Sequence, residues 1–363
     1  MNAIDEALRF VRRNISGMDG YVPGLQPSPG QRIVKLNTNE NPYPPSPKVI
    51  EALHGVTESL VRLYPSPDAT PLRERAAAVY GVHPDQVLCG NGSDEILSIL
   101  VRTFLDAGET IAYFQPSYSL YPVLAGISQV RTTDVPLPRV SRLEEMGDIP
   151  VPSPRAKVFF LTTPNSPYGP GFPTAWIERL LTRFKGIVIA DEAYADFAVE
   201  NCLPLLPTHP RLIIVRTLSK GYSLAGMRAG LAIAHAELIR EMSKVKDSYN
   251  VGRIPQIAAC AALEDQAYFR ATRDTVLATR TRLTSVLKGE GYTVLPSSAN
   301  FVFIVPPAGL SARALYDGLV ARGFLVRLLG AAAVSDGLRV SIGADADMDN
   351  LVKAMREVRN GGQ

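Results

Sequence analysis

The middle of the chain alternates short apolar runs with stretches of helical periodicity. The runs Val158–Leu161, Ile187–Ala190 and Leu212–Val215 are apolar on both faces, and Gln86–Leu88 and Thr110–Tyr113 have a similar length and setting. Strands that are apolar on both faces and separated by helices are typical of a mostly parallel sheet covered by helices on both sides. The pattern therefore predicts an α/β fold.

The C-terminal third has a different pattern. Residues from about Pro255 to Gly289 are rich in alanine and predict long helices. Four later runs predict a smaller sheet: Tyr292–Leu295, Phe301–Ile304, Phe324–Val326 and Leu338–Ile342. We therefore divide the chain into a large domain at 36–254 and a smaller α+β domain at 255–363. We expect an N-terminal arm, 1–35, to pack on the small domain or on a partner subunit.

The N-terminal segment predicts one amphipathic helix followed by an irregular connection. MNAIDEALRFVRRN contains Asp5 and Glu6, so it does not resemble a signal peptide, which starts with basic residues and continues with an apolar run. Residues 21–47 are rich in proline, glycine and asparagine and predict no regular structure. Irregular connections of this length are usually functional or disordered.

Composition excludes several classes of function. The 363 residues contain 38 Lys and Arg against 35 Asp and Glu, a net charge of +3. Because no basic block stands out, nucleic acid is not an expected partner. No stretch approaches the roughly 20 apolar residues of a membrane span, so we expect a cytoplasmic protein and no membrane partner. Cys89, Cys202 and Cys260 form no CxxC pair, and neither a disulfide framework nor a metal site is predicted.

Polar residues follow the predicted strands at the edge where parallel sheets bind ligands. Lys220 follows one strand in RTLSKGYSLAGMRAG, with Ser219 before it and Arg228 after it. A lone lysine in a loop is usually only solvated. The neighbouring serine and arginine change that interpretation, because both can converge on one phosphate. Lys220 would then supply an amine that forms an imine and transfers a proton.

A carboxylate and two hydrogen-bonding side chains follow other strands. Asp191 closes the run IVIA, and Tyr194 lies three residues later. Asp191 is a candidate helix cap, but a carboxylate at the end of a buried strand is costly unless it is paired. Asn165 lies in the proline-rich turn TTPNSPYGP, which would hold its amide rigidly. Tyr194, otherwise a half-buried aromatic residue, and Asn165 are suited to bind a ligand oxygen.

The segment CGNGSDEIL follows a strand and opens a helix. It is not a dinucleotide fingerprint, because Glu95 stands where the third glycine belongs, and it lacks the GK[ST] of a P-loop. Glycines before a helix N-terminus still bind anions through backbone N–H groups, and Ser93 and Asp94 are the expected donors. In QPSYSLYP, Tyr118 is a candidate to stack on a ring, and Tyr121 competes for that role.

This set of side chains matches the demands of pyridoxal 5'-phosphate (PLP). PLP needs an amine, a carboxylate for its ring nitrogen, hydrogen bonds to its phenolate oxygen, an anion site and a surface to stack on. Each demand has a candidate among the residues above. The sequence therefore predicts a PLP enzyme in which Lys220 forms a Schiff base with the cofactor. An aminotransferase is the leading interpretation.

The motifs resemble those of histidinol-phosphate aminotransferases, which are fold-type I PLP enzymes. The resemblance runs from about Tyr21 to Gly343 in the family's order. It implies a large domain with a mostly parallel sheet and a smaller C-terminal domain. The segments that carry it are NTNENPYPPSP, YPSPDATPLR, GNGSDEIL, PSYSLYP, TPNSPYG, DEAYADF, RTLSKGYSLAGMRAG, YNVGR, ANFVF and LRVSIG.

The resemblance also implies a homodimer with active sites at the subunit interface. Tyr64 would reach the PLP phosphate of the other subunit. Tyr21, Asn39, Arg327 and Arg339 would face the substrate, and the two arginines match groups that hold its phosphate or carboxylate. The implied reaction transfers the amino group of L-histidinol phosphate to 2-oxoglutarate, a step of histidine biosynthesis.

Two other activities on the same scaffold stay open at the level of sequence. One is an aromatic or broad-specificity amino-acid aminotransferase, and the other is a threonine-phosphate decarboxylase. Two departures from the family's motifs bear on the substrate. Arg253 lies where a small polar residue is expected after YNV, and residues 328–334 (LLGAAAV) are unusually apolar for the stretch between the two arginines.

Overall fold

A computed structural model describes residues 3–28, 30 and 33–361. The N-terminal segment forms two short helices, α1 (Ala3–Leu8) and α2 (Arg13–Ser16), rather than the single predicted helix. Arg12 separates them with extended backbone angles, φ −54° and ψ 137°. Helices this short make few hydrogen bonds of their own and depend on packing. The predicted helix also included Met1 and Asn2, which lie outside the described residues.

Each apolar run that predicted a strand lies on a strand of the structure, although the ends differ by a few residues. The segment CGNGSDEIL does not wholly follow a strand, because β2 includes its first three residues and ends at Asn91. The strands are β1 (Val34–Lys35), β2 (Val87–Asn91), β3 (Thr110–Gln115), β4 (Arg131–Pro136), β5 (Val158–Thr162), β6 (Ile187–Asp191), β7 (Leu212–Thr217), β8 (Ala229–Ala234), β9 (Thr293–Val294), β10 (Phe301–Val305), β11 (Phe324–Leu325), β12 (Arg327–Leu328) and β13 (Leu338–Ser341).

Helices fill most of the connections between the strands. The helical stretch predicted up to Gly289 is two helices, α10 (Arg253–Glu264) and α11 (Gln266–Gly289), and Asp265 caps α11 by accepting a hydrogen bond from the Tyr268 backbone N–H. The other helices after α2 are α3 (Pro47–His54), α4 (Glu58–Arg62), α5 (Thr70–Tyr80), α6 (Ser93–Phe104), α7 (Leu120–Ile127), α8 (Thr174–Arg183), α9 (Ala236–Ser243), α12 (Ala312–Val320) and α13 (Asp345–Asn360).

The central sheet has seven strands in the order β2-β8-β7-β6-β5-β3-β4. The five strands from β7 to β4 run parallel, and β8 is antiparallel to both neighbours. Apolar clusters cover both faces, one around Trp176 and Phe159 and the other around Tyr121 and Phe160. The predicted α/β architecture is confirmed. Strand β8, with the sequence AGLAIA, was not predicted because alanine and glycine have low strand propensity.

A second sheet lies in the C-terminal part and has the order β12-β13-β10-β9, with every pair antiparallel. Its core includes residues of α11, α12 and α13. Strand β1 pairs in parallel with β11, so the expectation that 21–47 holds no regular structure is wrong at Val34–Lys35. The reason is tertiary: Val34 and Leu36 donate backbone hydrogen bonds to the carbonyls of Gly323 and Leu325.

The limits of the predicted domains stay a prediction. Helix α10 begins at Arg253 and packs against α3 and α5, in a cluster that also includes residues of β2 and β8. The arm contacts both parts of the molecule, because α2 lies against α7 while β1 joins β11. Among the described residues, no helix combines the length and apolarity needed to cross a membrane.

Candidate active site

A cavity of 880 Å³ lies at the carboxyl ends of β5, β6 and β7. Parallel sheets bind ligands at this edge, and loops from the second sheet close its other side. Most of the residues singled out from the sequence line it together. They are Tyr21, Ser93, Asp94, Tyr118, Asp191, Tyr194, Ser219, Lys220, Arg228, Arg327 and Arg339.

Lys220 projects into the cavity from the loop that follows β7. Its Nζ donates a hydrogen bond to the Thr38 carbonyl oxygen at 2.8 Å. The pKa of the Lys220 amine is lowered to about 8, mainly by burial and also by Arg339 and Arg228, while Glu40 acts in the opposite direction. An amine with a depressed pKa is partly neutral at mildly alkaline pH, and the neutral form is the nucleophile.

Asp191 lies at the end of β6 with only 3% of its surface exposed. Its Oδ2 accepts a hydrogen bond from the Tyr121 hydroxyl at 2.6 Å, and its Oδ1 accepts one from the Ala193 backbone N–H at 3.3 Å. Burial raises the pKa of this carboxyl to about 6, although the Tyr121 hydrogen bond lowers it. A buried carboxylate held by two neutral donors favours a positively charged partner in the cavity.

A candidate anion site lies at the N-terminus of α6. No side chain caps this helix, so its first backbone N–H groups are open to an anion. Arg228 Nη1 donates to Ser219 Oγ at 3.5 Å, and its Nη2 forms an ion pair with Asp94 Oδ2 at 3.2 Å. Gly92 has a φ of 82°, and a Cβ there would collide with the Arg228 guanidinium. A glycine is therefore required where the guanidinium approaches the helix.

Tyr118 and Tyr21 form an aromatic wall of the cavity. The Tyr118 hydroxyl donates a hydrogen bond to Asp94 Oδ1 at 3.0 Å. The Tyr21 ring packs edge-on against it, with ring centroids 5.9 Å apart. Tyr121, the other candidate for stacking, is fully buried and does not line the cavity. Its contact with Asp191 is a role that the sequence did not predict, because nothing in QPSYSLYP shows which tyrosine faces the sheet.

Tyr194 lines the cavity, whereas Asn39 and Asn165 lie just behind its surface. The Tyr194 hydroxyl accepts a hydrogen bond from Asn39 Nδ2 at 3.0 Å, and burial raises the pKa of Tyr194. Asn39 is further held by Ser341, whose Oγ donates to Asn39 Oδ1 at 2.8 Å. Asn165 Nδ2 donates to the Pro116 carbonyl at 3.1 Å. Both asparagines are thus engaged with the protein instead of exposed to the cavity.

Two arginines converge on the cavity from the second sheet. Arg327 and Arg339 are directly opposite each other on β12 and β13. Arg339 donates to the Asn37 carbonyl at 2.8 Å and to Ser166 Oγ at 3.1 Å, but its buried Nε has no hydrogen-bond partner. Burial lowers the pKa of Arg339, and the neighbouring Arg327 lowers it further. Two adjacent cations favour a ligand with more than one negative charge.

Tyr64 lies outside the cavity, with 77% of its surface exposed. Its ring stacks on Tyr249 with centroids 4.5 Å apart. Arg253 donates a hydrogen bond to the Tyr64 carbonyl, so this arginine contacts the loop that carries Tyr64 and does not line the cavity.

The fold and the residues that line the cavity together indicate the class of enzyme to which this chain belongs. The chain belongs to the class I and II aminotransferases, whose family model matches residues 31–355.

Proteins that are similar to this chain over nearly its whole length have the name histidinol-phosphate aminotransferase. The chain is 44% identical over 351 residues to the histidinol-phosphate aminotransferase of Geotalea uraniireducens, covering 96% of this chain and 99% of that protein. It is 43% identical over 350 residues to the enzyme of the same name from Geobacter sulfurreducens, with the same coverage. The crystal structure of histidinol-phosphate aminotransferase from Sinorhizobium meliloti in complex with pyridoxal-5'-phosphate superposes with a TM-score of 0.85, at 26% identity, covering 97% of this chain and 98% of that one.

Proposed function

We propose that this chain is a PLP-dependent aminotransferase that transfers the amino group of L-histidinol phosphate to 2-oxoglutarate in histidine biosynthesis. The observation that carries the proposal is the convergence of Lys220, Asp191 and Arg228 in one cavity with the arginine pair Arg327 and Arg339. The names of the relatives over nearly the whole chain support the substrate.

The side chains fit PLP on their chemistry. Asp191 is a buried carboxylate without a charged partner among its hydrogen bonds, and a protonated ring nitrogen would supply that charge. The N-terminus of α6 with Ser219 and Arg228 offers donors to a phosphate. When bound, PLP supplies a carbonyl carbon that carries the amino group and a ring that accepts electrons.

Each residue around Lys220 then has a distinct task. Lys220 would bind the cofactor covalently, and its amine would then hold and transfer the proton at the substrate Cα. Asp191 would keep a positive charge at the ring nitrogen. Tyr118 would cover the ring, and Tyr194, oriented by Asn39, would donate to the phenolate oxygen. The role of Asn165 at that same oxygen stays a prediction.

The arginine pair is suited to the charged end of each substrate. A phosphate dianion can accept from both guanidinium groups, whereas a single carboxylate needs only one. Arg339 lines the cavity beside Arg327 and is held there by its hydrogen bonds to the Asn37 carbonyl and Ser166 Oγ. Histidinol phosphate and 2-oxoglutarate would therefore use the same arginines in alternate half-reactions, and Tyr21 would close the site over both.

The active form is, in this proposal, a homodimer with shared sites. Tyr64 is exposed, and Val61 and Leu63 beside it are also exposed apolar residues. Exposed apolar patches are typical of subunit interfaces. Tyr64 would cross that interface to the phosphate of the partner's cofactor. Arg253 would contribute indirectly, through its hydrogen bond to the Tyr64 backbone.

A comparison of amino donors tests the proposed substrate. We expect kcat/KM for L-histidinol phosphate to exceed those for phenylalanine and tyrosine by more than about tenfold, roughly 1.4 kcal/mol of transition-state preference. Replacing Arg327 with glutamine is expected to reduce this preference, because phenylalanine has no group that needs a second cation. A tenfold preference of the unmodified enzyme for phenylalanine would instead establish an aromatic aminotransferase.

A further inference from the structure

The loop between β12 and β13 forms an apolar wall of the cavity beside the arginine pair. Leu329, Gly330, Ala331 and Val334 line the cavity there, and we call residues 329–334 the apolar wall. The wall begins two residues after Arg327 in the chain. This is the segment whose apolar character departs from the family's motifs. Its position places it next to the charged end of any substrate that the arginines hold.

Arg139 attaches this loop to the central sheet. It lies three residues beyond β4, at the edge of that sheet. Its Nη1 donates to Asp336 Oδ2 at 2.8 Å and its Nη2 donates to Asp336 Oδ1 at 2.6 Å, so the ion pair is bidentate. The same Nη2 donates to the Ala333 carbonyl at 2.6 Å. One guanidinium therefore holds both a side chain and the backbone of the loop.

Aromatic residues fix the orientation of that guanidinium. Its carbon lies 5.4 Å from the ring centroids of both Tyr168 and Phe303. The Tyr168 hydroxyl also donates to the Ala333 carbonyl at 3.0 Å. Exposed ion pairs usually contribute little, but bidentate geometry and a shared network are the recognised exceptions. Neither Arg139 nor Asp336 lines the cavity, so any effect on the substrate is indirect.

We propose that Arg139 and Asp336 form a latch that holds the apolar wall beside Arg327 and Arg339 and thereby makes the site selective for phosphate-bearing amino donors. The proposal rests on the proposed function for its choice of substrates. Arg139 is a positioning residue, because it acts through the wall and touches no reacting atom.

The physical reason is exclusion of water from the arginine pair. Attraction between opposite charges strengthens as the local dielectric constant falls. In the proposed latch, Leu329 and Val334, the less exposed residues of the wall, shield the guanidinium groups from water, whereas a released wall admits it. A donor with a phosphate loses binding when water enters. A donor without a charge at that end loses little, because it makes no ionic contact there.

Kinetics with two matched donors test the latch. We compare L-histidinol phosphate with L-histidinol, which lacks only the phosphate, in the Arg139→Gln holoenzyme. We expect KM for histidinol phosphate to rise about tenfold with kcat nearly unchanged, since water admitted beside the arginine pair weakens its attraction to the phosphate. KM for histidinol is expected to change by less than about twofold. Equal rises for both donors would contradict the proposed selectivity.

Two further variants separate the latch from a general loss of stability. Arg322 lies seven residues before the wall in the chain, but it pairs with Glu357 of α13 and does not line the cavity. The side-chain exposures of this pair, 37% and 51%, are close to the 31% and 52% of Arg139 and Asp336. Arg322→Gln is therefore the control, and we expect both KM values to stay unchanged. Asp336→Asn removes the ion pair but leaves the hydrogen bond from Arg139 to the Ala333 carbonyl, so we expect a smaller rise in KM for histidinol phosphate than in Arg139→Gln. An unchanged KM in Asp336→Asn would reject the ion pair as part of the latch.

Hydrogen–deuterium exchange gives a measurement that does not depend on activity. Backbone amides of residues 329–337 are expected to exchange faster in Arg139→Gln than in the unmodified protein or in Arg322→Gln. Equal exchange in all three proteins would overturn the latch. If the unmodified enzyme used neither donor, the proposed function would fail, while the exchange result would still decide whether Arg139 holds the wall.

Discussion

Replacing Lys220 with alanine is expected to lower kcat by about 10⁴-fold, the upper end of the range for a positioned proton-transfer group. The amine serves twice, first as the nucleophile that binds PLP and then as the base that moves the substrate proton. No other lysine lines the cavity among the described residues, so none is placed to substitute for it. Turnover is measured with the favoured amino donor at saturating PLP.

The loss should be specific to Lys220. Lys244→Ala is the matched control, because Lys244 is an exposed lysine on α9's C-terminal side that pairs with Glu241. We expect that variant to keep full activity. The Lys220→Ala protein should still bind PLP without a covalent bond, through Arg228 and the N-terminus of α6. Retention of more than a few per cent of turnover would reject Lys220 as the essential amine.

Replacing Asp191 with asparagine is expected to lower kcat by roughly 10²- to 10⁴-fold. Removing one partner of a buried ion pair costs about 3–5 kcal/mol, and each 1.36 kcal/mol is a factor of ten. Asparagine has nearly the same shape but carries no charge, so it cannot keep a proton on the ring nitrogen. The rate of the half-reaction with a single amino donor measures this effect directly.

Tyr121→Phe separates the charge of Asp191 from its hydrogen bond. This variant removes the donor to Asp191 Oδ2 but leaves the carboxylate in place. A hydrogen bond to a charged group contributes about 1.5–3 kcal/mol, so we expect a smaller loss of rate than in Asp191→Asn. If the tyrosine variant were as slow as the asparagine variant, the charge of Asp191 would not be the decisive property.

The sequence predicted the parts of the fold that hydrophobic pattern determines. Strands β5, β6 and β7 are apolar on both faces and stood out, whereas the edge strand β4 (RTTDVP) is polar and was not predicted. Strand β8 follows Arg228 directly and was hidden within the motif that carries Lys220. These strands form because their neighbours in the sheet pair with them, and such long-range pairing leaves no local signal.

The sequence predicted those residues of the candidate site whose side-chain type suits one chemical role. Lys220 and Asp191 were identified by their position after strands and Arg228 by its place in the same motif as Lys220, and all three line the cavity. The orientation of the side chains was harder to predict from the sequence. Asn39 and Asn165 lie behind the surface, Tyr121 faces Asp191, and the latch joins residues that are 197 positions apart in sequence. Such contacts depend on how the two sheets meet.

Borohydride reduction followed by peptide mapping tests the central assignment most directly. Reduction converts a lysine-bound PLP into a stable secondary amine, so the modified residue can be located by mass spectrometry. We predict that one PLP is fixed per chain and that it lies on Lys220, in the peptide TLSKGYSLAGMR. A label on another lysine, or no label on protein saturated with PLP, would contradict the account.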